Sequence, residues 1–226
     1  MPGVERVPLV LASRSAGKLR ELGPLLQQHG WRALTLDELG VAVGEDEDGL
    51  EAFDTFEANA LAKARYFAER TGHVVLADDS GLAVDALDGR PGVHSKRWSG
   101  SLLEGPALDE ANNRYLQDAL LEAAQRGRAE RTARYVCAAA CVWPGFSCVE
   151  LGTTAGMLLD APRGAGGFGY DPYFWSSELE MTFAEATRDA KAVVSHRGRA
   201  FRALFAEMEK LSMNLLSPVD PGPWSG

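Results

Sequence analysis

Apolar positions along this chain follow two rhythms, short unbroken runs and runs repeating every three or four residues. Val7 to Ala12 is a short apolar run, the pattern of a buried strand. After the loop Ser13-Arg14-Ser15-Ala16-Gly17, the residues Leu19, Leu22, Leu25 and Leu26 recur at helical spacing. They predict a helix from about Lys18 to His29 with Gly30 as its stop, and Pro24 inside it predicts a kink or an early break. Trp31 to Leu36 reads as a second strand. Asp54, with Glu57 three residues on, has the form of a capping box and opens a long helix to about Arg70, closed by Gly72. Val74 to Ala77 predicts a strand that ends at Asp78-Asp79-Ser80-Gly81, where Gly81 lets the backbone turn. Ala83 to Leu87 is a short strand or extended segment, and Asp88 to Gly92 a turn cluster.

Further along, Asp109 to Ala124 predicts a helix. Thr132 to Val142 predicts a strand, Trp143-Pro144-Gly145 a turn, and Ser147 to Thr154 its antiparallel partner. Arg163 to Gly169 holds four glycines in seven residues and reads as an exposed loop. Phe183 to Ala186 and Ala190 to Met208 look helical. No internal repeat or linker divides the chain, so 1–216 is expected to form a single domain. Residues 217–226, rich in Pro and Gly, are expected to be a frayed tail.

Composition narrows the function classes. The 226 residues suffice for one large core or two modest lobes, and 46% apolar with 24% charged residues is ordinary for a soluble globular protein. A net charge of -9 argues against a general surface for duplex nucleic acid, which needs a basic stripe, but leaves room for a nucleotide bound by a few local cations. The N-terminal stretch has neither a secretory core nor the run of about 20 apolar residues that a membrane span needs, so a cytoplasmic protein is expected. Cys137, Cys141 and Cys148 are odd in number and lack a C-x-x-C spacing, which favours reduced thiols. Cys137 and Cys141 share a parity that suits the core. The four histidines show no H-x-x-x-H pair for zinc.

The candidate chemistry centres on Leu76-Ala77-Asp78-Asp79-Ser80-Gly81-Leu82. Two adjacent acids repel, and a hard cation shared with a phosphate supplies a reason to keep them, since Mg²⁺ binds one or two carboxylates plus substrate phosphate oxygens. A solvated acidic turn is the plain alternative. The first strand-loop-helix offers backbone N–H groups around Ser13 to Lys18, an anion site that Lys18 reinforces. It is no P-loop, because Ala12 and Leu19 stand where Gly and Ser or Thr are required. Asn59 and Lys63 share a helix face, either as a solvated stripe or pointing toward Asp78 and Asp79. In Gly166-Gly167-Phe168-Gly169-Tyr170-Asp171-Pro172, glycines allow a close approach, the aromatics could stack on a base, and Asp171 could bond a base edge. A glycine turn with core aromatics fits as well. Lys191 and Ser195-His196-Arg197-Gly198-Arg199 suit phosphate or base contacts. Ser195, His196 and Asp189 do not make a triad, and G-x-S-x-G is absent.

Four segments in a fixed order then carry a resemblance. They are Leu9 to Leu22, Thr55 to Gly100 (with T-F-E-A-N-A-L-A-K-A, L-A-D-D-S-G-L and P-G-V-H-S-K-R-W-S-G), Gly166 to Phe174, and Phe183 to Ala200. Together they resemble the non-standard purine nucleoside triphosphate pyrophosphatases, also called inosine or xanthosine triphosphate pyrophosphatases. The resemblance implies an elongated α/β fold, a mixed sheet flanked by helices with two lobes around a central nucleotide-binding cleft, usually as a homodimer. It implies Mg²⁺-dependent hydrolysis of XTP, dITP and ITP to monophosphate and pyrophosphate. Carried over, Ser13, Arg14, Ser15, Ala16, Gly17 and Lys18 hold the triphosphate, with Lys63 on the neighbouring helix. Asp79 binds Mg²⁺ and activates water, with Asp78 beside it, and Ser80 contacts substrate. Phe168, Gly169, Tyr170 and Asp171 hold the base, with Lys191, His196 and Arg197 completing the pocket.

Two departures stand out. The family's T-G-N-x-G-K loop here reads Ser13 to Lys18, with Ser15 for Asn and an added Arg14. For the family's metal-binding Glu, Glu51 is the nearest candidate, one place out of register. Two other readings compete: a septum-inhibition-type pyrophosphatase for pyrimidine or methylated nucleotides, which the L-A-S-R-S opening also resembles, and a nucleotide-binding module without turnover, which Ser15 alone supports.

Overall fold

The first apolar run folds as β1 (Leu9–Leu11), fully buried and paired in parallel with β2 (Ala33–Thr35) on one side and β3 (Val74–Val84) on the other. Parallel neighbours require crossovers, and two helices supply them. α1 (Ala16–Gln28) starts on the Ser15 side chain, which accepts from the Lys18 N–H, and it buries Leu22, Leu25 and Leu26. It continues through Pro24, so the expected break does not occur. α2 (Phe56–Thr71) is capped by Thr55, whose hydroxyl accepts from the Ala58 N–H at 3.2 Å. The cap is therefore one residue later than Asp54, and Glu57 lies too early to close a capping box. Gly72 ends the helix with φ +65°. The computed structural model describes residues 8–210, and the expected C-terminal tail lies outside them.

β3 departs furthest from its sequence pattern. The chain does not turn at Asp78 to Gly81; the strand runs eleven residues, from Val74 through both acids to Val84. Extended backbone sends successive side chains to opposite faces. Asp78 and Asp79 are thereby separated, and the repulsion that made the pair conspicuous is relieved by geometry. Nearly every position of β3 is buried, as expected of a strand covered on both faces.

α3 (Gly105–Gln125) precedes the hairpin of β4 (Thr132–Trp143) and β5 (Phe146–Leu158). Two short strands that the apolar pattern does not announce follow, β6 (Phe174–Ser176) and β7 (Met181–Thr182), both antiparallel additions. The result is a mixed seven-stranded sheet of order β2-β1-β3-β4-β5-β6-β7 with helices against it. Phe183 to Ala186 is a turn rather than a helix, with the Thr182 and Glu185 side chains bonding across it. The expected last helix is two: α4 (Arg188–Val194) and α5 (His196–Lys210), parted by Ser195 in extended geometry. The Ser195 hydroxyl accepts from the Gly198 N–H at 3.1 Å and so begins α5.

The chain forms two compact units, each assembled from separate stretches. Of the described residues, unit 1 takes 8–79, Ala138–Leu151 and 200–210; unit 2 takes Ser80–Cys137 and Gly152–Arg199. Unit 1 packs Val10, Leu36, Ala60, Ala64, Phe67, Val75 and Ala140 together. Unit 2 packs Leu82, Val84, Leu116, Leu120, Tyr135, Phe174 and Phe183. Cys137 and Cys141 are fully buried, and all three cysteines are outside any disulfide.

Candidate active site

In unit 1 the chemistry gathers around the middle of β3. Lys18, on the first turn of α1, places its ammonium 3.1 Å from Asp78 Oδ2 and 3.3 Å from the Asp78 carbonyl oxygen. Lys63, on α2, donates to the same carbonyl at 2.8 Å and pairs with Glu51. Asn59, one turn before Lys63 and fully buried, donates to Asp79 Oδ2 at 2.9 Å. Its amide also bonds both main-chain groups of Phe53, at 2.9 and 3.1 Å, fixing the segment that carries Glu51. Asn59 and Lys63 are thus one buried polar stripe aimed at β3, and the solvated-stripe alternative falls.

Burial pushes the Asp79 carboxyl above its ordinary range. Lys18 draws it back, Glu51 raises it further, and Lys63 and the Asn59 hydrogen bond oppose the rise. Asp79 is only 5% exposed, yet it lies within electrostatic reach of two ammonium groups and a second carboxylate. Among the described residues no group of three or more His, Cys, Asp or Glu could by itself hold a metal ion. Asp79 and Glu51 lie within electrostatic reach of each other. That donor set suits a hard cation completing its shell from phosphate and water oxygens, the habit of Mg²⁺. Asp78 belongs to the opposite face of β3, and its carboxylate is paired with Lys18, which sets it apart from the Asp79–Glu51 pair.

The loop from Ser13 to Lys18 divides in its roles. Ser13 Oγ accepts from the Ser15 N–H, and Ser15 Oγ caps α1, leaving Ala16 and Gly17 N–H groups at a helix head that no intrahelical carbonyl can reach. Ser15 therefore supplies the cap of α1. Arg14 turns away: its guanidinium bonds Glu47 at 2.9 Å, Asp37 at 3.1 Å and the Ala42 carbonyl at 3.1 Å. Expected as a phosphate ligand, it instead ties the loop to the acidic segment after β2.

Unit 2 holds the second cluster. Phe168, half-buried, has the Lys191 ammonium 5.3 Å and the Arg197 guanidinium 5.6 Å from its ring centre. Arg197 also donates to Ser80 Oγ at 2.8 Å. His196 is 3% exposed and lies flat on Tyr135, with ring centres 4.5 Å apart. Asp171 was expected at a base edge, but its carboxylate is buried and accepts from Lys191 at 2.5 Å and from the Phe168 N–H at 2.9 Å. It shapes the loop from within. Tyr170 likewise points inward, its hydroxyl donating to the Ser95 carbonyl at 2.8 Å, with burial raising the phenol strongly. Gly167 adopts φ +71°, and a Cβ there would overlap the Asp171 carboxylate, so glycine is needed at that bend. Gly169 is bonded from α3 by Asp109 and Asn113, residues that the helical pattern alone does not single out. A signal existed: Asn113 shares a helix face with buried Leu116 and Leu120, where apolar residues are the norm.

The family model described as Ham1 family matches residues 9–207. The chain is 47% identical over 197 residues to the dITP/XTP pyrophosphatase of Geobacter sulfurreducens, covering 87% of this chain and 94% of that protein. It is also 47% identical over 199 residues to the protein of the same name from Frankia alni, with the same two coverages. Among solved structures, a HAM1 protein from Coxiella burnetii superposes with TM-score 0.76 at 33% identity, covering 90% of this chain and 99% of that one. A nucleoside-triphosphatase, dITP/XTP pyrophosphatase, from Mycobacterium abscessus gives TM-score 0.64 at 41% identity, covering 87% and 97%. With matching sequence along nearly all of its length and the same mixed sheet, this chain belongs to the Ham1 family.

Proposed function

We propose that this protein hydrolyses non-standard purine nucleoside triphosphates, XTP, dITP and ITP, to the nucleoside monophosphate and pyrophosphate, clearing deaminated purines from the nucleotide pool. The observation that carries the reading is Asp79: a buried carboxylate raised in pKa, braced by Asn59, with Lys18, Lys63 and Glu51 around it. A base with a raised pKa accepts a proton more readily, and Asp79 takes the one released as water attacks the α-phosphorus. Lys18 and Lys63 offset phosphate charge, and the N–H groups at the head of α1 receive phosphate oxygens. Mg²⁺ is the cofactor, held by Asp79 and Glu51, and when bound it neutralises phosphate charge and orients the reacting groups.

The base is assigned to the Phe168 loop. The Phe168 ring offers a stacking face, with Lys191 and Arg197 holding it in place. A site that hydrogen-bonds a 6-oxo group disfavours the 6-amino group of ATP, because buried partners are left unpaired. The same reading carries a homodimer and a cytoplasmic location. Among the described residues no helix is long and apolar enough to cross a membrane, and light scattering tests the dimer.

The test of function is product analysis on purified protein with Mg²⁺ and, separately, XTP, dITP, ATP, GTP and UTP. Monophosphate and pyrophosphate from XTP and dITP, with little from the others, is the expected result. Orthophosphate with diphosphate, or a preference for UTP, would overturn the reading. Binding without turnover would return the chain to a nucleotide-binding module.

A further inference from the structure

The loop assigned to the base is held by a helix that carries none of the residues assigned to chemistry. Asp109 and Asn113 lie one turn apart on α3 and so face the same way. Asp109 Oδ2 accepts from the Gly169 N–H at 2.8 Å, and Asn113 Nδ2 donates to the Gly169 carbonyl at 2.9 Å. Both main-chain groups of one residue are thus taken by one face of one helix. Gly169 has φ +62°, and a Cβ there would meet nothing within 4 Å, so the side on which a Cβ would stand is open. The two side chains of α3 hold the peptide through its own polar groups. On either side, Phe168 is fixed by Asp171, and Tyr170 by Ser95.

A glycine with open space where a Cβ would stand has two soft dihedrals and can flip its peptide planes. Bonding its N–H and its carbonyl from a rigid helix removes that freedom. The Phe168 ring, attached to the peptide immediately before, then stays in one orientation. Asn113 is 7% exposed, and its Oδ1 is buried without a hydrogen-bond partner. Leaving a buried acceptor unmatched is unfavourable, so this side chain is kept in place for the bond that its other end makes.

We infer that Asp109 and Asn113 are positioning residues for base selection: they act through the Gly169 peptide to hold Phe168 in the orientation that receives the purine. The inference rests on the assignment of the Phe168 loop to the base. It separates recognition of the base from recognition of phosphate, because the phosphate groups are assigned to Lys18, Lys63 and the head of α1.

The experiment compares Asp109→Ala, Asn113→Ala and the conservative Asp109→Asn, whose amide oxygen still accepts from Gly169, in the full chain with Mg²⁺. Steady-state rates with dITP and XTP give kcat and KM. Inhibition by inorganic tripolyphosphate, which has no base, reports the phosphate site alone. For the alanine variants KM should rise about tenfold, the scale of one lost hydrogen bond, with kcat within about twofold. Tripolyphosphate inhibition should be unchanged, and Asp109→Asn should restore the wild-type KM. Unchanged KM in both alanine variants overturns the inference, and so does a loss of tripolyphosphate inhibition in step with KM, which marks general loosening. If an alanine variant fails to fold, Asn113→Asp, which keeps the volume and removes the donor, is read by the same criteria. An inactive wild type instead overturns the assigned function, and that result is distinct from an active wild type with indifferent variants.

Discussion

Asp79 keeps a charge in a place that burial makes unfavourable, and this single residue joins stability to activity. Its folded pKa is raised, so the carboxyl favours the protonated form in the fold more than in the unfolded chain. By linkage its stabilising contribution is full below the ordinary carboxylate value and is lost as pH rises through the raised value. At neutral pH the ionised group therefore lowers stability. Asp79→Asn should raise the melting temperature at about pH 7.5 without Mg²⁺, with the gain shrinking toward about pH 4. The same variant should lose about a hundredfold or more in turnover, since the proton acceptor is gone. A variant that melts below wild type at neutral pH, or keeps near-normal rates, would contradict this account. Asp79 was legible in the sequence because its chemistry is intrinsic and its motif local. Arg14 was misread because a guanidinium suits phosphate and carboxylate alike. Only the fold shows that Glu47, 33 residues away, is its partner.

Among the elements, the strand β3 and the loop after β5 show opposite relations to their sequences. β3 was expected to stop at two acids and a glycine, residues that disfavour strands. Burial on both faces and lysines waiting at the Asp78 carbonyl override that preference. The glycine loop was readable as a loop, but its shape comes from a side chain three and four residues on. Gly167→Ala sets a left-handed φ against a Cβ that overlaps the Asp171 carboxylate. It should cost about 1 to 3 kcal/mol in urea unfolding, the scale of a strained backbone position. It should also weaken nucleotide binding by disturbing Phe168. Equal stability of variant and wild type would mean that Asp171 can move aside and that its bond to the loop is not structural. Helix ends were the more legible feature: Gly72 stops α2 where expected, while Thr55 displaces Asp54 as its cap because its hydroxyl, one residue later, accepts from the Ala58 N–H.

On the scale of the whole molecule, a net charge of -9 coexists with lysines concentrated on the candidate site, so an anionic substrate meets local cations and its metal supplies further charge. Asp79 and Glu51 alone make an incomplete cation site, and tripolyphosphate alone would lie close to their carboxylates. Mg²⁺ and tripolyphosphate together should therefore raise the melting temperature by more than the sum of their separate effects. Strictly additive shifts would argue that the two bind independently and would remove Glu51 and Asp79 from a shared site. What the sequence determined by itself is local: the main strands and helices from β1 to β5, the helix-stopping Gly72, and the residue types able to do phosphate chemistry. These follow from periodicities of a few residues and from side-chain chemistry that needs no neighbour. The tertiary structure decided which partner each polar group took. Arg14 went to Glu47, Asp171 to Lys191 across 20 residues, and Asp109 and Asn113 to Gly169 across 60 and 56. Such pairings depend on where packing of the apolar faces brings distant backbone together, and no local pattern encodes that distance.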